Sequence, residues 1–404
     1  MWEELEKYRN HFLQYEIQDV MKPSAINCLQ NTEWNKYREK RDGCVRIQKK
    51  CTEFSKFFED RAQQAYGWFS LPKLLKEMDS GVNLTHWRAI VSLSEFLMNP
   101  QHAQRAILEF DMVRKVKNAF MRMRLKFHAT HYQEVETYLK IFNILSRCLH
   151  GAFRIASSKC LMVEFYKIIK DKESVNDDVV AEILQNLTGK PKVLGVVLAD
   201  AENFESVAGI FKQDPCRPVY PPPLWHHLCD MLDVAPERGI ELGFFELIHA
   251  RILKRLPRYW DMTSKAFALL LRCEEGQRRF DNLDGLSMIN SVFARSEREK
   301  VGNYEYVVLI LLNGLHSKRA LWRSREFIEL PCHLGRRMAN ESNPRLQLYC
   351  LKALRELGVM PCTKRYIIGN WLQEIRELVC LDADVECARD ALLDWLRSDI
   401  AESS

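Results

Sequence analysis

The sequence predicts an all-α protein made of repeated groups of helices, and three observations support that fold class. An apolar pair of residues three apart recurs along the chain at steps of 39 to 44 residues. Each pair is followed, after a short connection, by a second segment with the apolar spacing of a helix. Between these segments no stretch alternates apolar and polar residues for long enough to predict a strand. Because each helical group in such an array packs only on its neighbours, a chain of 404 residues needs no single central core.

The recurring pair, here named the ladder, is most regular in the second half of the chain, where Leu270, Leu312 and Leu354 stand 42 residues apart. Residues three apart lie on one face of a helix, so each pair is expected to be buried. An earlier pair, Leu93 with Phe96, stands 52 residues before Leu145, so a longer segment is expected there. The seven regular pairs are Leu145 with Cys148, Leu184 with Leu187, Leu228 with Met231, Leu270 with Cys273, Leu312 with Leu315, Leu354 with Leu357, and Leu393 with Leu396.

A second helix is predicted after each of the first six ladder pairs, because apolar residues again recur at helical spacing. Several connections carry residues that end or start helices, including Gly189 with Pro191, and Asn343 with Pro344. The predicted second helices are Leu161 to Ile169, Phe204 to Phe211, Leu242 to Leu253, Leu283 to Phe293, Phe327 to Met338, and Ile367 to Val379.

A period near 42 residues with two or three helices in each unit is typical of armadillo and HEAT repeats. The segment Cys273 to Phe293 resembles the junction between two armadillo repeats, where a short helix leads to a Gly-Leu step. Asn343 to Gly358 and Val175 to Thr188 resemble the last helix of such a repeat. The resemblance covers residues 84–398. It implies a right-handed, armadillo-like superhelical solenoid of about seven to eight helical repeats with a helical N-terminal cap.

The chain is expected to divide into a cap, a repeat array and a short tail. Residues 1–80 are rich in aromatic side chains and are predicted to cover the open end of the first repeat, with nucleic acid or membrane-surface contact as alternatives. Residues 81–398 form the predicted array, and 399–404 a flexible tail. Five prolines within 214–223 predict an extended connector that places Leu224 in the first turn of the next helix. An exposed ligand for a proline-reading module is the alternative.

The resemblance also implies a partner-binding groove. In peptide-binding armadillo proteins the last helix of each repeat lines a concave face, with an Asn two positions after the first ladder leucine and a Trp two positions before it. Only Asn186 matches the Asn row here, and no residue matches the Trp row. We therefore expect a groove of mixed charge for an irregular partner segment rather than for an extended nuclear-localisation peptide. The predicted groove residues are Arg147, Asn186, Asp230, Arg272, Glu356, Glu182, His226 and Lys352.

A net charge of +5 makes no general case for nucleic acid, but basic residues are locally clustered. One run has no acid within it and is expected to be either a solvated helix face or a patch for phosphate or an acidic partner. Clusters at 36–50, 114–126, 251–258 and 318–325 would bind nucleic acid if they aligned as one stripe. The acid-free run, named the basic patch, consists of Arg114, Lys115, Lys117, Arg122, Arg124 and Lys126.

No catalytic, nucleotide-binding or metal-binding motif was found, so no enzyme activity, cofactor or small-molecule substrate is predicted. His226 and Cys229 stand three apart on one predicted helix, but no second ligand pair follows at a zinc spacing. The longest strongly apolar run, Val307 to Leu312, is too short to span a membrane. Thirteen scattered cysteines without a CxxC pair are typical of reduced thiols, and a cytoplasmic or nuclear location is expected.

The sequence therefore predicts a non-enzymatic scaffold or adaptor that holds a partner protein of unknown identity on the concave face of a helical-repeat solenoid. The alternative is a helical-repeat protein that associates with nucleic acid through its basic clusters. The acidic residues Glu182, Asp230 and Glu356 interrupt the predicted groove, which favours the protein-binding hypothesis.

Overall fold

The structure, a computed structural model, describes residues 71–80, 83–126, 132–171, 176–213, 220–254, 260–296, 304–340 and 343–402. These residues form 22 α-helices and one short 3-10 helix, and no strand occurs among them. The all-α class predicted from the ladder is confirmed. Of the helices described, none is both long enough and apolar enough to cross a lipid bilayer.

The chain divides into two compact units. Of the described residues, those up to 164 and 176–187 belong to the first unit, and 165–171 and those from 188 onward belong to the second. Within the first unit α2 packs on α1, α3 and α5, and α5 packs on α6. Helices up to the boundary are α1 (Leu71–Met78), α2 (Asn83–Leu97), α3 (Pro100–Phe110), α4 (Met112–Lys126), α5 (Tyr132–Arg147) and α6 (Leu149–Ala156), followed by α7 (Lys159–Lys170) and α8 (Asp177–Thr188), which have residues in both units.

The second unit contains the remaining helices. They are α9 (Pro191–Ala199), α10 (Ala201–Gln213), α11 (Pro222–Val234), α12 (Pro236–Glu241), α13 (Phe244–Lys254), α14 (Trp260–Leu270), α15 (Glu274–Asn282), α16 (Gly285–Ser296), α17 (Glu305–Gly314), α18 (Lys318–Arg323), α19 (Glu329–Asn340), α20 (Pro344–Leu357), α21 (Pro361–Arg376) and α22 (Ala383–Glu402). The 3-10 helix, Ser324–Glu326, lies between α18 and α19.

A group of three helices recurs along this order. A short helix of six to nine residues comes first, at α6, α9, α12, α15 and α18. A second helix follows it, and a helix carrying a ladder pair ends the group. In the second unit each of the ladder-bearing helices α11, α14, α17, α20 and α22 packs on the next in chain order. The second helices of two successive groups, α16 and α19, also pack on each other. Stacking of like helices on like helices is the arrangement of a repeat solenoid.

The ladder residues form the core of this arrangement. Every ladder residue is buried except Cys148, which is half-buried. Leu93 and Phe96 are buried as well, on α2, which packs directly on the ladder-bearing helix α5. The long step between Leu93 and Leu145 contains the two complete helices α3 and α4. The apolar periodicity of the sequence therefore identified core residues correctly.

Polar side chains also link positions one repeat apart. Arg154 pairs with Asp111, 43 residues earlier, in the first unit. In the second unit the Asn313 amide donates to the Ala268 carbonyl at 2.8 Å across a separation of 45 residues. These separations, 43 and 45 residues, are close to the ladder steps of 39 to 44, so a similar repeat length appears in the packing and in the hydrogen bonds.

Two glycines let a short helix approach the ladder helix before it. A Cβ atom added at Gly151 would lie 2.9 Å from the carbonyl carbon of Leu145, and one added at Gly276 would lie 2.9 Å from that of Leu270. Ordinary contact begins near 3.4 Å, so neither position accommodates a larger residue without movement. The close approach recurs six residues after a ladder leucine in both units.

The ladder leucines do not share one position within the repeat. Leu270 stands four residues before Glu274, where α15 begins, whereas Leu354 stands seven residues before Pro361, where α21 begins. The difference is close to one helical turn, which leaves both leucines on the buried side. Positions counted from the ladder are therefore not equivalent from one repeat to the next.

Several expectations lie outside the described residues: most of the cap at 1–80, the basic cluster at 36–50, and residues 214–219 of the connector. The described end of the connector agrees with the sequence, because α11 begins at Pro222 and Leu224 is buried in its first turn. Helix α22 continues to Glu402, four residues beyond the expected end of the array at 398. Residues 399–402, expected to be part of a flexible tail, are therefore helical.

Candidate functional site

The candidate site is a row of partly exposed side chains on four ladder-bearing helices of the second unit, here named the ladder face. On α11, α14 and α17 the two residues of each helix stand three or four apart, and on α20 two adjacent residues stand four and three before Lys352, so those of each helix lie on one side of it. The four helices pack side by side in that order. The ladder face consists of His226 and Asp230, Met262 and Lys265, Tyr306 and Leu309, and Leu348, Tyr349 and Lys352.

One end of the ladder face is polar and brings together two of the predicted groove residues, His226 and Asp230. Burial raises the pKa of the Asp230 carboxyl, and the hydroxyl of Thr188, which donates to Oδ2 of Asp230 at 2.9 Å, opposes that shift. Burial lowers the pKa of His226, and the nearby ammonium of Lys265 lowers it further. Lys265, on the next helix, therefore lies within electrostatic reach of both residues.

A buried hydrogen-bond chain lies beneath this polar end. His227 is fully buried and lies 3.2 Å from the hydroxyl of Tyr166 through Nε2 and 3.3 Å from that of Thr188 through Nδ1. The Thr188 hydroxyl donates to Asp230, so the chain runs from the core to the surface carboxylate. The Thr188 hydroxyl therefore links Asp230 to the buried side chains of His227 and Tyr166.

The centre of the ladder face is aromatic. Tyr306 of α17 and Tyr349 of α20 are both partly exposed, and Tyr349 is among the groups that raise the pKa of Tyr306. Burial raises the pKa of both hydroxyls, and the adjacent carboxylate of Glu305 raises each of them further. Glu305 itself is buried and accepts a hydrogen bond from the Asn343 amide at 3.2 Å. The two tyrosines therefore present uncharged hydroxyls and partly exposed rings at neutral pH.

Apolar side chains complete the face beside these tyrosines. Leu309 lies one helical turn after Tyr306, and Leu348 is adjacent to Tyr349. Met262 supplies a third apolar side chain on α14, and its carbonyl accepts a hydrogen bond from the buried thiol of Cys229 at 3.9 Å. A partly exposed apolar and aromatic centre with polar ends is the composition expected of a surface that binds a partner.

Two predicted groove residues of the first unit are engaged with other side chains. The Asn186 amide donates at 3.0 Å to Oδ1 of Asn143 and at 3.0 Å to the hydroxyl of Ser146. The Asn143 amide in turn donates to Glu182 at 2.6 Å. Both N–H groups of Asn186 are therefore used within the protein and are not available to hold a partner backbone.

The two predicted groove arginines lie at helix ends. Arg147 is the exposed last residue of α5, and Arg272 is exposed just beyond the end of α14. Arg272 pairs with Asp233 of α11. Within the second unit, Arg272 lies beyond a helix end, whereas Asp230 and Glu356 lie within helices, so these three do not occupy equivalent positions. The reason is the one-turn shift of the ladder, which moves the counted position from the middle of the last helix to its end.

The last two predicted groove residues on this list, Glu356 and Lys352, lie on α20. Glu356 is half-buried and Lys352 is exposed. They stand four residues apart and lie on the same side of the helix. Lys352 belongs to the ladder face because it follows Leu348 by one helical turn, and Glu356 extends the face toward the end of the helix.

Acids from within the first unit pair with the arginines of the basic patch. Arg114 pairs with Asp111 at 2.7 Å, Arg124 pairs with Glu164 at 2.6 Å, and Arg122 pairs with Asp79. Lys115 lies over the ring of Phe110 at 5.9 Å, Lys117 is half-buried, and the side chain of Lys126 is outside the described residues. The patch therefore offers less free positive charge than its sequence implies.

The other described basic clusters do not form a uniform phosphate surface. Arg251 is buried over the rings of Tyr220 and Trp225, at 5.1 and 5.6 Å, and residues 255–259 are outside the described part. Arg323 pairs with Asp284 at 3.0 Å. Arg325 lies over the ring of Trp322 at 3.4 Å.

Sequence reasoning missed the centre of the ladder face. Tyr306 and Leu348 stand six residues before Leu312 and Leu354, and Tyr349 stands five residues before Leu354. The shared six-residue offset of Tyr306 and Leu348 places both on the same side of their helices, away from the ladder leucine, but the sequence carries no signal that this side is exposed. Among the described residues, no group of three or more His, Cys, Asp or Glu side chains is arranged to hold a metal ion.

Comparisons with known proteins identify the kind of fold and nothing narrower. No protein-family model and no curated protein matches the sequence. A crystal structure of an engineered protein from a structural genomics consortium matches with a TM-score of 0.55 at 11% identity, over 94% of this chain and 99% of that chain. A chain from a structure reported with the phosphorylation-switched interaction between cadherin and β-catenin matches with a TM-score of 0.50 at 12% identity, over 81% of this chain and 86% of that chain. At these identities the likeness shows the all-α fold alone and is compatible with a helical repeat.

Proposed function

We propose that the chain is a non-enzymatic adaptor of armadillo-like type whose ladder face holds a segment of a partner protein. Three helices recur in each repeat, with a short helix first and the ladder helix last, which favours the armadillo type over a two-helix repeat. The β-catenin-related structure matched above supports the same type. The ladder helices are the ones that line the binding groove in proteins of that type.

The observation that carries the proposal is the pair of partly exposed tyrosines, Tyr306 and Tyr349, at the centre of the ladder face. Tyrosine combines a large apolar ring with a polar hydroxyl and costs little side-chain entropy when it is fixed by a partner. Aromatic residues at the centre of an interface commonly contribute most of its binding free energy. Leu309 and Leu348 beside them add apolar surface that a partner side chain would bury.

The length of the ladder face sets the length of the partner segment that can cover it. Packed helices lie about 8–10 Å apart, so four helices present a row about 24–30 Å long. An extended chain rises about 3.3 Å for each residue, so a segment of about eight or nine residues covers that row. We infer that apolar side chains of this segment contact the tyrosines. Its polar groups would meet His226, Asp230 and Lys265 at one end and Lys352 at the other.

Nucleic-acid binding is the less favoured function. It requires basic clusters that align and remain unpaired. In the described residues Arg114, Arg122, Arg124 and Arg323 are in ion pairs, and Arg251 is buried. The ladder face itself carries Asp230 beside Lys265, so its charge is mixed and does not follow a phosphate backbone.

The test is affinity purification of the tagged full-length chain from its native cells, with and without nuclease, followed by mass spectrometry. The variant carries Tyr306→Ala with Tyr349→Ala, and the control carries Tyr366→Ala, a partly exposed tyrosine on α21 that is outside the ladder face. We expect a protein partner that survives nuclease, is retained by the control and is lost from the double variant.

A partner recovered equally with all three proteins would contradict the assignment of the ladder face. Partners that disappear with nuclease would instead support the nucleic-acid alternative. Thermal melts of the three proteins distinguish loss of binding from loss of folding. The side chains replaced are only partly buried, so the melting temperatures are expected to change little.

A further inference from the structure

A second exposed surface of the second unit combines apolar and basic side chains. It lies on α18, the 3-10 helix and the start of α19, and is here named the Trp322 surface, residues 318–328. The indole of Trp322 is 52% exposed and the side chain of Ile328 is 57% exposed. These two large apolar side chains are therefore exposed within one stretch of seven residues, 322–328, and exposed apolar surface of this kind can mark a site for a partner.

Hydrogen bonds hold the conformation of this segment. The hydroxyl of Ser317 caps the first turn of α18 by accepting a hydrogen bond from the Ala320 amide at 3.4 Å. The same hydroxyl donates a hydrogen bond to the Asp281 carboxylate. The amide of Phe327 donates to the Ser324 carbonyl at 3.0 Å, which closes the 3-10 helix. Trp322 and Ile328 are therefore presented by a folded turn rather than by an open loop.

The charges on this surface do not balance. Lys318, Arg319 and Arg325 are exposed, and no acid within the described residues pairs with any of them. The acids nearby are already engaged: Asp281 with Ser317, Asp284 and Glu326 with Arg323, and Glu329 with Asn290. Three basic side chains without an acidic partner among the described residues therefore lie in the same segment as the exposed Trp322.

The geometry of the tryptophan discriminates between two possible occupants. The guanidinium of Arg325 lies over the Trp322 ring at 3.4 Å and covers one of its faces, so the indole cannot be sandwiched between two nucleobases. The other exposed apolar side chain of this segment is the aliphatic Ile328, which offers a nucleobase no stacking surface. An apolar side chain packs well against both, and carboxylates are the complement of the three bases.

We propose that the Trp322 surface binds a segment of a partner protein that carries acidic residues around an apolar anchor. The anchor packs against Trp322 and Ile328, and the carboxylates pair with Lys318, Arg319 and Arg325. This site is separate from the ladder face and does not depend on it. The protein would then contact its partners at two surfaces, one tyrosine-centred and one basic.

The proposal is tested with the full-length chain and a fluorescein-labelled peptide of 12 residues that alternates glutamate with leucine, read by fluorescence anisotropy. Two variants remove the two parts of the site: Lys318→Glu with Arg319→Glu, and Trp322→Ala. The matched control, Lys192→Glu with Arg365→Glu, changes the net charge by the same amount at two other exposed bases of the second unit. Each site variant is expected to weaken binding at least about tenfold, and the control less than about twofold.

Further probes separate the alternatives. Replacing the glutamates of the peptide by lysine, or its leucines by serine, is expected to abolish binding, while Tyr306→Ala with Tyr349→Ala in the protein leaves it unchanged. The proposal is overturned if the acidic peptide does not bind, if Trp322→Ala leaves its affinity unchanged, or if the control weakens it as much as the site variant does. It is also overturned if a single-stranded RNA of 12 nucleotides binds more tightly than the acidic peptide and loses affinity in the same Lys318, Arg319 and Trp322 variants.

Discussion

Replacing Gly276 by alanine tests the packing between repeats directly. A Cβ atom there would lie 2.9 Å from the carbonyl carbon of Leu270 and 3.3 Å from a methyl of Ile240, so α15 would have to move away from the ladder helix. Overpacking that forces a backbone shift costs about 1–3 kcal/mol or more. Alanine regains about 1 kcal/mol over glycine through its helix propensity. Because the obstacle is a backbone carbonyl, we take the upper end of the overpacking cost, about 3 kcal/mol. Subtracting the propensity gain leaves an expected loss of about 2 kcal/mol in the free energy of unfolding.

The matched control is Gly209→Ala on α10, where no atom lies within 4 Å of the added Cβ. Only the propensity term acts there, so this variant should gain about 0.5–1 kcal/mol. Both variants are compared with the wild type by urea unfolding followed by circular dichroism, with melting temperature as a second readout because arrays need not unfold in one step. Equal stability of the Gly276→Ala protein and the wild type would refute the close approach of α15 to α14.

Three further outcomes are expected. Leu312→Ala, at a core position that is 8% exposed, should lower the free energy of unfolding by about 2–5 kcal/mol. Leu283→Ala, at a position that is 46% exposed, should cost less than about 1 kcal/mol in the same denaturation experiment, and similar losses for both would contradict the buried ladder. Asp230→Asn should raise the melting temperature at pH 7. Burial raises the pKa of Asp230, so the stability it contributes is present below the ordinary aspartate pKa of about 3.9 and is lost as pH rises through the raised pKa. The gain should disappear near pH 3, and a loss at pH 7 would show that Lys265 compensates the charge. Burial raises the pKa of the Cys229 thiol to about 12, so iodoacetamide at neutral pH should modify the exposed Cys160, Cys362 and Cys387 first and Cys229 only after unfolding, as read by peptide mass spectrometry.

The sequence predicted the core of the array because burial leaves a periodic trace. Leu228, Leu270 and Leu354 are buried where the ladder placed them, and α16 and α19 occupy the segments predicted as second helices. The short helices were mostly missed. A helix of six residues such as α12 or α18 contains fewer than two turns, too few to show a 3.6-residue period.

The residues counted from the ladder do not occupy equivalent helix positions, and the cause is the register of the ladder. Arg272 and Asp230 both stand two residues after a ladder leucine, yet one lies beyond a helix end and the other within a helix. Both settings bury the leucine, so apolar periodicity cannot distinguish them. Tyr306 and Tyr349 were overlooked because a single tyrosine on an apolar helix is usually part of the core. Their partial exposure depends on how α17 and α20 pack, which no local pattern records.

The most direct test of the account is site-specific photocrosslinking in native cells. A photoreactive benzoylphenylalanine is introduced in place of Tyr306, of Tyr349 or, as control, of Tyr366, and crosslinked products are identified by mass spectrometry. The ladder-face hypothesis predicts that positions 306 and 349 capture the same partner protein and that position 366 does not. Capture at 366 alone, or equally at all three positions, would contradict binding at the ladder face.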